Sequence, residues 1–424
     1  MERLGTIFKI HRKNNNYSLD YVASASGINR GKISLFENDK ANMDKKSITK
    51  IYECIGIEYK TDIVLEKETS ELVNNIYYDL LYGKKADELF GKLFEDKTKI
   101  MCSERYITYL LGVLLMKLYT NDFFFDYSFY IENIYKNRDM LSKQNKQIMF
   151  DCIGLYNSLQ NNNQESEKFY KKGLEYNINQ SYEAMIRFHY GFLLMHEGKL
   201  TDALDNFKRS NYLFGLDLNF YRMMDCTVYI AGIYGRLSYV NKMLDIHYTI
   251  LNALDTTELS NDIKMIIINT MIMDDIYTGQ FEQVIEINKK YNFKKINNKT
   301  GLVLLAYIYW NQNDINRASY YLKNARKINE TGNKDIENMI EVLISLLLKK
   351  DFDLIERKIY KLFKQKNFYF DYIVKIFSLK LLIKVSELYE ENDKKEKYEL
   401  LLLKYSGNNG ENIKNLDLDF LQKV

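Results

Sequence analysis

The sequence predicts an all-α fold, and three observations carry that reading. None of the 424 residues is proline, where an ordinary share of about 5 % would supply roughly 20. Proline lacks a backbone donor and clashes with the preceding turn, so its absence favours uninterrupted helices and excludes polyproline, collagen-like and mucin-like chains. Apolar residues recur at i, i+3, i+4 and i+7 almost throughout, the stripe of a helix that buries one face. That pattern itself returns at intervals of a few tens of residues, which points to an array of like units. A hydrophobic share of 46 % against 28 % charged residues fits a folded chain and excludes a disordered one.

The first sixty residues differ from the rest in charge. They carry 11 basic and 7 acidic side chains, a net +4, whereas the remaining 364 residues sum to −1. A small basic head on a neutral body is what an electrostatic contact with nucleic acid requires. Within it, Leu4, Ile7, Phe8 and Ile10 make one apolar helical face with Lys9, Arg12 and Lys13 beside it. Asn14-Asn15-Asn16 ends that helix, because asparagine favours turns and tolerates left-handed backbone. Ser18 stands where an N-cap belongs, Val22-Ala23 follow on the buried side, and Gly27 supplies a stop. Asn29 caps a third helix, Arg30 to Phe36, anchored by Ile33 and Phe36. A further helix from Ser47 to Ile55 carries Ile48, Ile51, Tyr52 and Ile55 at helical spacing and closes at Gly56.

This order of helix, short helix, tight turn and helix resembles the Xre/Cro-type helix-turn-helix domain across about 55 residues. The resemblance implies that Arg30–Phe36 is the recognition helix and enters the major groove. Arg30 and Lys32 would then read base edges, since cationic groups suit guanine O6 and N7. Ser18, Asn29, Ser34, Asn38 and Lys40 complete the expected DNA-binding set, with Ser18, Ser34, Asn38 and Lys40 directed to phosphate oxygens. Leu19 stands where the family commonly has a phosphate-binding glutamine, and Gly31 loosens the recognition helix by about 1 kcal/mol relative to alanine.

Beyond residue 60 the repeating unit is clearest in Ala184–Phe214. Gly191 is followed seven residues on by Gly198, then by Ala203, Phe207 and Ser210. Small residues at 191 and 203 let two antiparallel helices approach closely. Gly154, Asn161, Ser166, Tyr170 and Gly173 repeat the spacing upstream; Ala306, Asn313, Ala318, Leu322 and Ala325 repeat it downstream. With weaker copies at Gly235 and Gly279, the expected turn residues Asn161, Gly198, Gly235, Gly279 and Asn313 are 37, 37, 44 and 34 residues apart. Fainter hairpins at Leu72–Phe94, Gly112–Ile134, Ile336–Leu362 and Leu381–Leu403 extend the array.

A helical hairpin of about 34 residues with these small-residue offsets resembles the tetratricopeptide repeat. The resemblance implies a right-handed superhelix over residues 61–424, its concave groove lined by the first helix of each hairpin. Asp151, Phe188, Arg222, Asp225, Tyr229, Asn269, Tyr307 and Trp310 fall on that lining. Asn and Arg there suit the backbone of an extended peptide, and Tyr and Trp supply apolar walls.

Catalytic signatures are missing. No phosphate-binding P-loop, G-x-S-x-G, H-E-x-x-H or calcium loop occurs, and the paired acids, such as Asp274-Asp275, single out no acid–base couple. His189 and His196 read as surface or packed residues without metal-ligand partners. Cys54, Cys102, Cys152 and Cys226 are too far apart for a zinc site and suit reduced thiols. The chain is therefore expected to be a non-enzyme, free of cofactor and metal, cytoplasmic and not membrane-bound. A head of Xre type on a tetratricopeptide array resembles the peptide-sensing regulators of the RRNPP quorum-sensing family, nearest its larger NprR-like or RstA-like members. The resemblance implies a homodimer on double-stranded DNA, with half-sites about one helical turn apart, and a short signalling peptide in the groove that shifts DNA binding. Two alternatives share the build: a phage arbitrium-type regulator, and a body that grips a phosphorelay response regulator.

Overall fold

A computed structural model describes residues 3–407 apart from 61–62, 96, 121–124, 177, 258, 329–333 and 365–370. Among the described residues every regular element is helical. The chain divides into two compact units, Met1–His189 and Tyr190–Val424. The division expected after residue 60 falls beside residues 61–62, outside the described residues.

The first unit opens with four short helices, α1 (Leu4–Asn14), α2 (Leu19–Ser26), α3 (Arg30–Glu37) and α4 (Lys45–Cys54). It continues with α5 (Ile63–Leu81), α6 (Asp87–Glu95), α7 (Lys97–Ile100), α8 (Tyr106–Tyr119) and α9 (Tyr127–Lys136). The hairpin α10 (Lys143–Leu159) and α11 (Asn163–Glu175) follows, and α12 (Gln180–His196) crosses into the second unit. That unit pairs α12 with α13 (Leu200–Leu216), α14 (Phe220–Arg236) with α15 (Val240–Thr256), and α16 (Asn261–Thr278) with α17 (Phe281–Tyr291). The last three hairpins are α18 (Lys299–Asn311) with α19 (Ile315–Ala325), α20 (Lys334–Leu347) with α21 (Phe352–Lys364), and α22 (Asp371–Leu388) with α23 (Asn392–Gly407). First helices also stack on first helices: α14 on α16, α16 on α18, α18 on α20. The repeats read from the sequence, including the fainter ones, are all hairpins.

Helix contact within a hairpin follows from the small residues. A Cβ at Gly154 would lie 2.5 Å from the Tyr170 ring, and one at Gly191 would lie 3.1 Å from the Phe207 ring. Both rings are fully buried in the opposing helix, so each aromatic fills the space that a missing side chain leaves.

The hairpin turns share one device. Asn161, Gly198, Ser238, Gly279, Asn313, Lys349 and Glu390 all have left-handed φ, between 50° and 78°. The next amide reaches back five residues, as in Lys199 N to Leu194 O (2.9 Å), Tyr239 N to Tyr234 O (2.8 Å) and Glu391 N to Ser386 O (2.8 Å). This closes the first helix without proline. Gly235, expected to be a turn residue, lies inside α14; Ser238 makes the turn. Gly235 is small for another reason, because a Cβ there would meet Met243 Sδ at 2.7 Å.

Candidate functional site

The head is built around Phe8, Val22, Ile33, Phe36, Ile51 and Tyr52, all buried. Helix α1 crosses α3 so closely that a Cβ on Gly5 would stand 1.7 Å from the Phe36 carbonyl oxygen. Arg12, read from the sequence as a cation beside the apolar face, is instead buried. Its Nε and Nη2 donate to the Glu37 carboxylate at 2.5 and 2.9 Å, and Nη1 donates to the Tyr17 carbonyl at 2.5 Å. One guanidinium thus ties α1, the α1–α2 turn and α3 together, a bidentate geometry that compensates its burial. The sequence held a signal for this pair: Arg12 lies four residues after the core Phe8, and Glu37 directly follows the core Phe36.

The caps stand as expected. Ser18 Oγ accepts from Tyr21 N (3.0 Å), Gly27 adopts φ 69°, and Asn29 Oδ1 accepts from Gly31 N (2.8 Å). Helix α3 therefore presents Arg30 and Lys32 to solvent. Arg30 Nε is 2.8 Å from Asp20 Oδ1, and Lys32 Nζ is 3.9 Å from Asp44 Oδ2, with all four side chains exposed. Exposed pairs of this kind are worth about 1 kcal/mol or less, so either cation is readily given up to a stronger acceptor. Asn38 is exposed, but its amide is committed: Nδ2 donates to Ser34 O (2.7 Å) and Oδ1 accepts from Lys9 Nζ (2.7 Å). Ser34 is half-buried and Lys40 is exposed.

The head core reaches past residue 60. Cys102 packs into it, and the His11 ring lies 2.7 Å from the Met101 carbonyl and 4.3 Å from the Tyr106 ring. Burial lowers the His11 pKa to about 4, against a partial rise from the Met101 hydrogen bond and with Lys97 adding to the fall. His11 is therefore neutral at pH 7.

In the body, the residues expected to line a groove fall in several settings. Asp151 of α10 is fully enclosed, accepting from Tyr77 OH at 2.7 Å while its other oxygen lies 2.8 Å from His189 Nδ1. It joins α5, α10 and α12, and Phe188 beside His189 is buried too. Burial first, and the Asp151 charge second, push the Tyr77 hydroxyl pKa well up. Arg222 and Asp225 pair at 3.0 Å in the first turns of α14, and Arg222 also faces the Tyr221 ring at 4.8 Å. Tyr229 stacks on Phe207 at 5.5 Å and meets Phe192 edge-on at 4.3 Å. Half-buried Asn269 accepts from Asn298 Nδ2 at 2.8 Å. Tyr307 and Trp310 are buried on α18, with Phe377 of α22 edge-on to Tyr307 at 4.7 Å and Lys384 Nζ 5.3 Å above the Trp310 ring. Arg222, Asp225, Tyr229, Asn269, Tyr307 and Trp310 thus sit on the stacked first helices α14, α16 and α18 of the second unit, whereas Asp151 belongs to the first.

One cluster was not singled out by the sequence. His247 of α15 lies between Asp274 and Asp275 of α16, 3.7 and 3.1 Å away, and all three are buried. Burial works to lower the His247 pKa, but the two nearby aspartates, Asp274 and Asp275, outweigh it and raise it to about 9. Burial raises both aspartate carboxyls against the opposing pull of His247. Among the described residues no group of three His, Cys, Asp or Glu side chains is arranged to hold a metal ion. No described helix is long and apolar enough to cross a membrane. The four cysteines are free thiols, Cys54 half-buried and the other three buried.

No family model matches the sequence, and no curated protein matches it. Solved structures do. A Rap protein complexed with competence and sporulation factor superposes with a TM-score of 0.60 at 14 % identity, covering 81 % of this chain and 99 % of its own. The apo form of the quorum sensor NprR from B. thuringiensis gives 0.54 at 13 % identity, covering 80 % and 99 %. The Rap conjugation gene regulator of the plasmid pLS20, in complex with the Phr* peptide, gives 0.51 at 14 % identity, covering 82 % and 96 %. At such identities the likeness is one of architecture, and it establishes the tetratricopeptide-like helical array as the fold of this chain.

Proposed function

We propose that this chain is a non-enzymatic, cytoplasmic transcriptional regulator of the RRNPP type. Residues 1–60 bind double-stranded DNA, and residues 61–424 bind a short signalling peptide and hold a homodimer together. The observation that carries the reading is the capped helix α3, which holds Arg30 and Lys32 outward on exchangeable surface pairs. A rigid core behind a solvent-facing cationic helix is what major-groove readout needs. Ser18, Ser34, Asn38 and Lys40 are assigned to the phosphate backbone, and Asn29, the cap of α3, completes the DNA-binding set. The peptide reading is supported by the fold shared with proteins solved in complex with competence and sporulation factor and with Phr*. It assigns Asp151, Arg222, Asp225, Tyr229, Asn269, Tyr307 and Trp310 to the peptide-responsive body.

Replacing Arg30 and Lys32 together with alanine tests the DNA arm. Footprinting on the DNA flanking the gene is expected to lose specific protection, with helix content and molecular mass in solution unchanged. An unaltered footprint refutes the assignment of α3 as the recognition helix.

A further inference from the structure

The last hairpin departs from the stacking of those before it. Helix α22 packs on α21, its chain neighbour, and also on α16, three first-helices upstream. Its side-chain contacts with α16 and α18 come from residues spaced i, i+3 and i+7. Phe377 lies edge-on to Tyr307 at 4.7 Å. Lys380 Nζ donates to the Tyr277 carbonyl at 2.7 Å and stands 5.0 Å from the Tyr277 ring. Lys384 Nζ donates to the Asn311 carbonyl at 2.9 Å, also reaches Asn311 Oδ1, and covers Trp310 at 5.3 Å.

The receiving face has a defined chemistry. Tyr277 is the penultimate residue of α16, and Asn311 is the last of α18. Carbonyls at a helix C-terminus lack intrahelical partners and carry the negative end of the helix dipole, so they favour a cation. An aromatic face beside each carbonyl adds a second attraction for the same ammonium. Two such pockets, together with the Tyr307 ring that meets Phe377, make a face that takes one ring and two ammonium groups. Both lysines remain partly open to water, Lys380 exposed and Lys384 half-buried, so their contacts are surface contacts that a competitor can replace.

We propose that the α16–α18 face is a recognition site for a peptide carrying an aromatic ring and lysine ammonium groups at helical spacing, and that α22 is its intramolecular occupant. This rests on reading the body as a peptide receptor and adds the chemistry of the ligand. While α22 sits on the face, the open form is only a fraction of the population, and apparent affinity falls by that fraction.

The test uses the full chain and a fluorescein-labelled synthetic peptide spanning residues 374–388, which carries the α22 contacts. The K380Q/K384Q variant, which leaves Phe377 and the receiving face intact, is expected to bind this probe at least tenfold more tightly than the parent. A probe with glutamine at the positions of Lys380 and Lys384 is expected to lose that gain. Hydrogen exchange is expected to rise in the variant at the last turns of α16 and α18, with the rest of the second unit unchanged. Equal probe affinity in parent and variant overturns the proposal, as does equal binding by the lysine-free probe. No DNA enters this assay, so failure here alongside a lost footprint for R30A/K32A removes the α22 site and leaves the DNA-binding arm of the proposed function standing. Probe capture with an unaltered footprint keeps the α22 site and removes α3 as the recognition helix.

Discussion

Replacing His247 with glutamine removes an imidazolium from between two buried carboxylates while keeping a side chain of similar size. In the fold the His247 pKa rises from 6.5 to about 9. At ~1.4 kcal/mol per tenfold change in proton affinity, that rise corresponds to about 3 kcal/mol of stability. A folded-state value above the unfolded one places this contribution at low pH: it is complete below about pH 6.5 and is lost as the pH rises through about 9. The raised carboxyls of Asp274 and Asp275 have the same sign but their own window, which opens in the acid range. Their contribution is complete below the ordinary carboxyl value and is lost as the pH rises through their raised values. The loss above pH 6.5 is assigned to His247. The parent is therefore expected to lose thermal stability between pH 6.5 and 9.5. H247Q should melt about 6–12 °C lower at pH 6, taking ~2–4 °C per kcal/mol for a unit of this size, and the gap should narrow at pH 9.5. Thermal unfolding followed by circular dichroism at the two pH values reads this directly. A gap of the same size at both pH values, or none at pH 6, would refute the charged His247 between two aspartates.

Two further substitutions probe the frame. Gly5→Ala places a methyl group 1.7 Å from the Phe36 carbonyl oxygen, and forced overpacking of this kind costs about 1–3 kcal/mol. Chemical shifts of α1 to α4 are expected to change and operator binding to fall, while the second unit keeps its melting temperature. At Ser238 and Lys349, glycine relieves a left-handed backbone and is expected to stabilise the second unit by about 0.5–1 kcal/mol per site, measured by urea titration. Destabilisation at both sites would contradict the turn geometry.

Reading the head from the sequence was possible because its signals are local. The Ser18 and Asn29 caps, the Gly27 stop and the positions of Ile33 and Phe36 are each set by a few neighbouring residues, and all appear in the fold as expected. The hairpins were legible for the same reason, since helix period and small-residue spacing lie within one unit. Arg12 was harder, because its partner Glu37 is 25 residues away and a cation on a helix edge looks alike whether it is solvated or paired. Gly235 misled because a glycine near a helix end serves equally as a turn or as a point of close approach. The backbone put the turn at Ser238 and left Gly235 to make room for Met243.

What the sequence determined by itself was the all-helical class, the basic capped head and the hairpin array, all consequences of period, propensity and capping over short spans. Tertiary structure alone decided which polar groups share a buried space. It enclosed Asp151 between Tyr77 and His189, set His247 between two adjacent aspartates, and laid α22 over Tyr307 and Trp310. Each of these joins residues from different helices, so no local pattern announces it; the packing that excludes water there fixes both the partner and the charge.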